Sequence, residues 1–232
     1  MSPNLPLTIH GRYFTAGKAV LLFALLAFAT PSSALDLSGI TENDAAAFRA
    51  AVEAEGGSVN GEPCVITADG PDGKVQRLIS FPTTESFVNL PVDTITATWT
   101  MSGSIRIEAM PFGKAGGGGG MFGLHFGPND AILALSADKW SKLKAPQFFS
   151  GLTCLLPESE FKEADIPQVG SWQKISLGLD GAQWKLKVGD SFEKGGTIEN
   201  DTRGVLKRRS KLFMRVGNFS GTATLPEISE SN

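Results

Sequence analysis

Nineteen residues, Ser171 to Gly189 (SWQKISLGLDGAQWKLKVG), constrain the fold more tightly than any other stretch of the chain. Two runs of alternating apolar and polar residues flank Asp180-Gly181, the dipeptide of a type I′ β-hairpin loop. That turn puts Leu179 opposite Ala182, Leu177 opposite Trp184 and Ile175 opposite Leu186, so one face of the ribbon is apolar. The other face carries Trp172, Lys174, Ser176, Gln183, Lys185 and Lys187, with Lys174 opposite Lys187. A slip of one residue would invert both faces. A lone hairpin is marginal in water, so the apolar face requires a second sheet over it.

The first residues belong to a different kind of segment. Arg12 and Lys18 precede an unbroken apolar run from Ala19 to Ala29, and Pro31-Ser-Ser-Ala34 places small residues where a signal peptidase reads them. This pattern predicts a signal peptide over 1–34 with cleavage after Ala34, and a secreted or periplasmic protein. The run is short of the ~20 residues that cross a bilayer, so no transmembrane segment is expected once it is removed. Cleavage leaves 19 basic against 24 acidic residues, a formal −5, which disfavours nucleic acid as a partner. The remaining 198 or so residues suffice for one sizeable core.

Over residues 35–58 the expectation is an N-terminal segment with one accessory helix. Thr41 serves as N-cap, Asp44 stands at the third helical position, Phe48 and Val52 share a face, and Gly56-Gly57 ends the helix. From Val59 to Asn232 the pattern is strands between turns: Pro63–Thr67, Val75–Phe81, Phe87–Leu90, Asp93–Met101, Ser104–Met110, Met121–Phe126, Ala131–Leu135, Gln147–Leu156, Leu212–Gly221 and Thr222–Ile228. Asp69-Gly-Pro-Asp-Gly73 is an evident turn, and the glycine-rich Gly113–Gly120 an inter-strand loop. The fold class is all-β: two antiparallel sheets packed as a sandwich.

The motifs Gly170-Ser-Trp172, Leu177-Gly-Leu-Asp-Gly181, Leu186-Lys-Val-Gly189, Leu212-Phe-Met-Arg-Val-Gly217, Phe219-Ser-Gly221 and Glu227-Ile228 follow one another in an order that resembles the laminin G-like, concanavalin A-like lectin and glucanase jelly rolls. The resemblance covers about sixty residues closely and residues 93–135 loosely. It departs at Gln173, where the family usually has a histidine, and does not account for residues 35–92. It implies a jelly roll that binds through loops or its concave sheet, and in some members a rim Ca²⁺. Asn129-Asp130 is the best loop for such an ion, yet one carboxylate falls short of the six to eight oxygens that Ca²⁺ takes; no cofactor is expected.

Catalytic patterns are weak. No strand carries the Glu-x-Asp-x-x-Glu spacing of retaining jelly-roll glycosidases, and Glu158-Ser-Glu160, with Glu163 and Asp165, reads as an acidic connector. Tyr13, within the signal segment, is the only tyrosine, so the Tyr of a polysaccharide lyase is missing. His125 is the one histidine after cleavage, and it lies in an apolar strand with no neighbouring acid to orient it. Cys64 and Cys154, a lone pair in an exported chain, predict a disulfide closing a loop of about ninety residues, worth on the order of 4 kcal/mol. Asn200 and Asn218 stand in Asn-x-Ser/Thr sequons, acceptors only if the secretory route is eukaryotic.

The candidate binding residues are Lys207, Arg208, Arg209 and Lys211, flanked by Arg203 and Arg215, together with Trp172, Lys174 and Lys187 on the polar hairpin face. Clustered cations suit an anionic polysaccharide, and a tryptophan offers a stacking surface for a sugar ring. The expected function is an exported, non-catalytic recognition module for a glycan or an extracytoplasmic protein. The alternatives are a polysaccharide-active jelly-roll enzyme, a lyase or glycoside hydrolase, and a structural envelope or matrix component.

Overall fold

The structure is a computed structural model describing residues 35–109, 121–126, 130–137, 146–150, 153–160, 169–201 and 204–230. The segment 1–34, the loop Gly113–Gly120, Asn129, Glu163, Asp165 and Arg203 lie outside them.

One helix, α1 (Ala45–Ala54), precedes fifteen strands among the described residues: β1 (Ser58–Asn60), β2 (Cys64–Asp69), β3 (Val75–Phe81), β4 (Phe87–Thr94), β5 (Thr98–Ala109), β6 (Phe122–Phe126), β7 (Asp130–Ala137), β8 (Pro146–Ser150), β9 (Thr153–Leu156), β10 (Trp172–Asp180), β11 (Gln183–Val188), β12 (Phe192–Thr197), β13 (Ser210–Gly217), β14 (Ser220–Ala223) and β15 (Glu227–Glu230). They form two antiparallel sheets, ordered β12-β11-β10-β5-β14-β3-β2 and β1-β4-β13-β6-β7-β8-β9, with β15 continuing alongside β5. The protein is a two-sheet β-sandwich with one helix, as the alternating pattern requires.

The Ser171–Gly189 hairpin forms β10 and β11 with the expected core face: Ile175, Leu177, Leu179, Trp184, Leu186 and Val188 are all buried. Its register differs by two residues. Leu179 pairs with Trp184, Leu177 with Leu186 and Ile175 with Val188, so the two-residue loop is Gly181-Ala182. Positive φ falls on Gly181 (57°) and not on Asp180, matching the demand of a type II′ turn for glycine at its first central position. A shift of two preserves the faces, so periodicity alone could not distinguish the registers. The shift also removes the Lys174–Lys187 opposition: Lys187 pairs with Ser176 on one side and Glu193 on the other.

The core is the interior between the sheets. Trp99, Met101, Ile105 and Ile107 of β5 and the inward residues of β10 lie in one cluster with Phe122, Leu124, Met214 and Val216 of the opposite sheet. A Cβ on Gly103 would stand 2.9 Å from the Phe122 ring, so glycine there leaves room for that ring to cross between the sheets. Near one edge Phe148 of β8 packs on Trp184 of β11, ring centroids 5.2 Å apart. At the other edge α1 contacts β1, β2 and β4, burying Phe48 and Val52.

Other expectations shift in detail. The helix is capped by Asp44, whose carboxylate accepts the Ala47 N–H at 2.9 Å, and not by Thr41. Asp93 to Met101 is not one strand: Asp93 and Thr94 end β4, residues 95–97 connect, and β5 runs on from Thr98 through the Ser104–Ala109 stretch. Gln147–Leu156 divides into the β8–β9 hairpin. No disulfide joins Cys64 and Cys154. Cys64 lies in edge strand β2 on the α1 side and Cys154 in edge strand β9 on the Trp184 side, so the width of the sandwich separates them; parity of cysteines carries no information about such a separation.

Two glycines of the late motifs have steric reasons to be there. At Gly221 (φ 150°) a Cβ would lie 2.0 Å from the Arg106 carbonyl oxygen, and at Gly217 (φ 133°) 2.4 Å from the Phe87 Cα. Gly221→Ala is expected to lower the unfolding free energy by about 2–4 kcal/mol in urea titration, against about 1 kcal/mol for Gly181→Ala, which meets no neighbour and adds backbone strain alone. Because no bond links the cysteines, a thiol reductant is expected to leave the urea midpoint unchanged; a loss of about 4 kcal/mol would reveal the bridge instead.

Candidate functional site

The candidate binding residues fall into two groups at opposite ends of the sandwich. Trp172 pairs with Arg106 at the start of β10, and Lys174 follows on the same face. The strand ends at Asp180, eight steps or about 27 Å away at ~3.4 Å per residue. At that far end Gly181 donates to the Ala97 carbonyl at 3.1 Å and Ile95 to the Arg209 carbonyl at 2.7 Å. The short connection 95–97 therefore joins the hairpin turn to the basic segment, and the rim Lys207–Lys211 lies far from Trp172.

Around Trp172 the chain builds a cleft of about 560 Å³, within the range of small-ligand sites. Trp172, Gln173 and Lys174 of β10 and Ser104 of β5 line it, joined by Asp190 of the β11–β12 turn and by Pro71 and Asp72 from the turn between β2 and β3. Lys187 shares the outer face but does not line the cleft. The walls are preformed. Gly70 donates to Lys74 O at 2.9 Å and Gly73 to Gly70 O at 3.0 Å, closing the β2–β3 turn on itself, while Gly189 donates to Lys174 O at 2.8 Å. The Asp72 carboxylate accepts the Lys74 N–H at 3.1 Å, with the Lys74 ammonium 3.5 Å away. That backbone hydrogen bond and the neighbouring cation hold its pKa below the ordinary carboxylate value. An aromatic surface, two carboxylates, one ammonium, an amide and the hydroxyls of Ser104 and Ser191 thus share one concave site.

Asp72, Asp190, Gln173 and Ser104 were not picked out as ligand-binding residues by the sequence. About a hundred residues separate Asp72 from Trp172, and β5 and β14 stand between β10 and β3 in the sheet, so only the tertiary structure brings the β2–β3 turn to the cleft. The signal available was modest: Asp-containing turns following Leu-x-Val-Gly and inside Asp69–Gly73.

In the rim, Lys207, Arg208 and Lys211 are exposed. The Arg208 guanidinium lies over the Phe126 ring, 4.1 Å from its centroid, and Arg209 turns inward to donate to the carbonyls of Leu206 and Arg208. Arg215 is buried on the outer face of the seven-stranded sheet, where its Nε donates to Asn89 Oδ1 at 2.7 Å and its guanidinium lies over Phe87. Burial lowers its pKa to about 10, leaving it charged at neutral pH.

His125 shares that outer face, two rungs along from Arg215, beside an irregularity in the β6–β7 register. It is 1% exposed and neither ring nitrogen has a hydrogen-bond partner. Burial first, and the Arg215 charge second, lower its pKa to about 3. A ring so enclosed and kept neutral is unable to reach a substrate in the cleft. No group of three or more His, Cys, Asp or Glu side chains gathers as a metal site among the described residues. No helix among them is long and apolar enough to cross a membrane.

These features define a β-sandwich domain with a preformed surface cleft. No protein-family model and no curated protein sequence matches the chain. Among solved structures it is similar to domain 4 of AbnA, a GH43 extracellular arabinanase from Geobacillus stearothermophilus, in complex with arabinotriose: 17% identity over 75% of this chain and 82% of that one, TM-score 0.51. Lectin I-B4 from Griffonia simplicifolia, in its metal-free form, matches at 11% identity over 76% and 92%, TM-score 0.41. A mutant Trypanosoma rangeli sialidase displaying trans-sialidase activity matches at 17% over 75% of this chain and only 28% of its own length, TM-score 0.47. At these identities the likeness is one of fold.

The unfolded chain has an ordinary histidine pKa near 6.5 and the folded one about 3. Stability is therefore fully present above 6.5 and falls as pH drops toward 3, because only the unfolded chain takes up the proton. By pH 4.5 this costs about 2–3 kcal/mol. His125→Gln is expected to flatten that slope, read as urea unfolding free energy at pH 7 and 4.5; an unchanged slope would place the acid lability elsewhere.

Proposed function

We propose that this protein is an exported, non-catalytic glycan-binding module of the laminin G-like kind, in which 1–34 is a signal peptide, 35–58 an accessory segment and 59–232 the binding domain, acting in a secreted or periplasmic location. The observation that carries the reading is the cleft at Trp172. An indole face stacks on the apolar face of a sugar ring, and carboxylates, an amide and an ammonium around it match hydroxyl groups that both donate and accept. The two carboxylates are offset by Lys174 in the lining and by Lys74 beside Asp72, so the cleft offers no excess of positive charge to a polyanion and suits a neutral saccharide. The complex of domain 4 of the arabinanase with arabinotriose is in keeping with this choice.

The reading as a non-catalytic module is supported by the cleft's carboxylates: a glycosidase needs one carboxyl with a raised pKa to protonate the leaving oxygen, and Asp72 is held ionised and unfit for that role. His125, the other candidate base, is sealed in the sheet.

On an array of neutral oligosaccharides, arabinans included, Trp172→Ala is expected to weaken binding by about 30-fold, the loss of a ~2 kcal/mol anchor, with unfolding unchanged. Unaltered binding by this variant would exclude the cleft. Release of shortened oligosaccharides by the wild type would make the protein an enzyme.

A further inference from the structure

The rim at the opposite end is built differently from an ordinary charged surface, and we infer that it is a second, independent binding site for an oxyanion-bearing polysaccharide. Its position rests on the geometry alone; the choice of a polysaccharide rests on the glycan-binding reading of the cleft.

Three observations converge. First, Lys207, Arg208 and Lys211 have no carboxylate within 4.0 Å among the described residues, although Lys74, Arg77, Lys185 and Lys194 each have one. Among the described residues, then, these three cations are exposed without a salt-bridged carboxylate, as a site that takes its anion from a ligand requires. Second, the segment is held in shape. The Asp201 carboxylate accepts the Val205 N–H at 2.6 Å and the Leu206 N–H at 3.1 Å, fixing the short helical turn Val205–Lys207, with Val205 buried beneath it. Arg208 is laid on Phe126, so its planar fork loses little further freedom on engaging a sulfate, phosphate or carboxylate in a bidentate fashion. Third, Lys211 adopts a left-handed backbone conformation (φ 58°) at the start of β13, a strained one for a lysine. Its ammonium stays on the exposed rim at the expense of regular strand geometry.

β10 runs about 27 Å from Trp172 to Asp180, and the rim lies past the Asp180 end across the connection 95–97, so one protein can hold a neutral saccharide at one end and a charged polymer at the other. Binding at the rim is electrostatic and weakens with salt, whereas binding in the cleft depends on stacking and hydroxyl contacts and does not.

The test measures affinity for dextran sulfate and for polygalacturonate, which separate sulfate from carboxylate ligands, and for duplex DNA, at about 0.05 M and 0.5 M salt. The protein should bind at least one of the two polysaccharides more tightly than DNA, and the triple variant Lys207→Ser/Arg208→Ser/Lys211→Ser should bind it about tenfold or more weakly at low salt, with a shallower salt dependence. Trp172→Ala should match the wild type in this assay, while the triple variant should keep neutral-saccharide binding. Wild-type affinity in the triple variant, salt-insensitive binding, or tighter binding to DNA would overturn the inference. Failure of Trp172→Ala to affect neutral saccharides would remove the cleft reading and leave the rim result standing. All three substitutions are at exposed positions, and thermal unfolding checks that the variant folds.

Discussion

Nine consecutive rungs between β10 and β5, from Trp172 with Arg106 to Asp180 with Thr98, hold the molecule together. Along them Ile175, Leu177 and Leu179 share an inward face with Trp99, Met101 and Ile105, all nearly or wholly removed from water. Burial of several such side chains at about 1.5–3 kcal/mol each is the main term that offsets the entropy of ordering two sheets. Everything else is positioned by this pair: β11 and β12 extend it on one side, β14 and β15 on the other, and the opposite sheet closes over it.

The same pairing creates both candidate sites, because a long strand has two ends. At one end, the turns after β2 and after β11 stand over Trp172; at the other, the connection 95–97 meets the basic segment before β13. Neither site needs a moving part. Hydrogen-bonded turns wall the cleft, and an aspartate-capped turn with a stacked arginine shapes the rim. Such preorganisation suits recognition, where ordering costs subtract directly from affinity.

Much of the fold was legible from residue pattern. The inward face of the hairpin, the helix with Phe48 and Val52 against the sheet, and most strands follow from period-two and period-3.6 spacing, which depend on local backbone geometry. The misses share a cause. A register shift of two leaves the pattern unchanged, so the Lys174–Lys187 opposition dissolved while the faces survived. Gln147–Leu156 is mostly apolar, with Ser150-Gly151 as its one turn signal, and read as a single strand its division into β8 and β9 was missed. The cysteine pair satisfied parity and failed on position, a non-local property.

Local alternation and turn chemistry in the chain were enough to determine that two antiparallel sheets would pack face to face, and that cations and a tryptophan would lie outside the core. Which of those side chains would meet was decided by sheet order, a non-local property. It set the basic rim a strand's length from Trp172 and enclosed His125 beside Arg215, while the course of the β2–β3 turn in three dimensions brought Asp72 to the cleft, since neighbours in a sandwich are chosen by the packing of distant strands and turns and not by closeness along the chain.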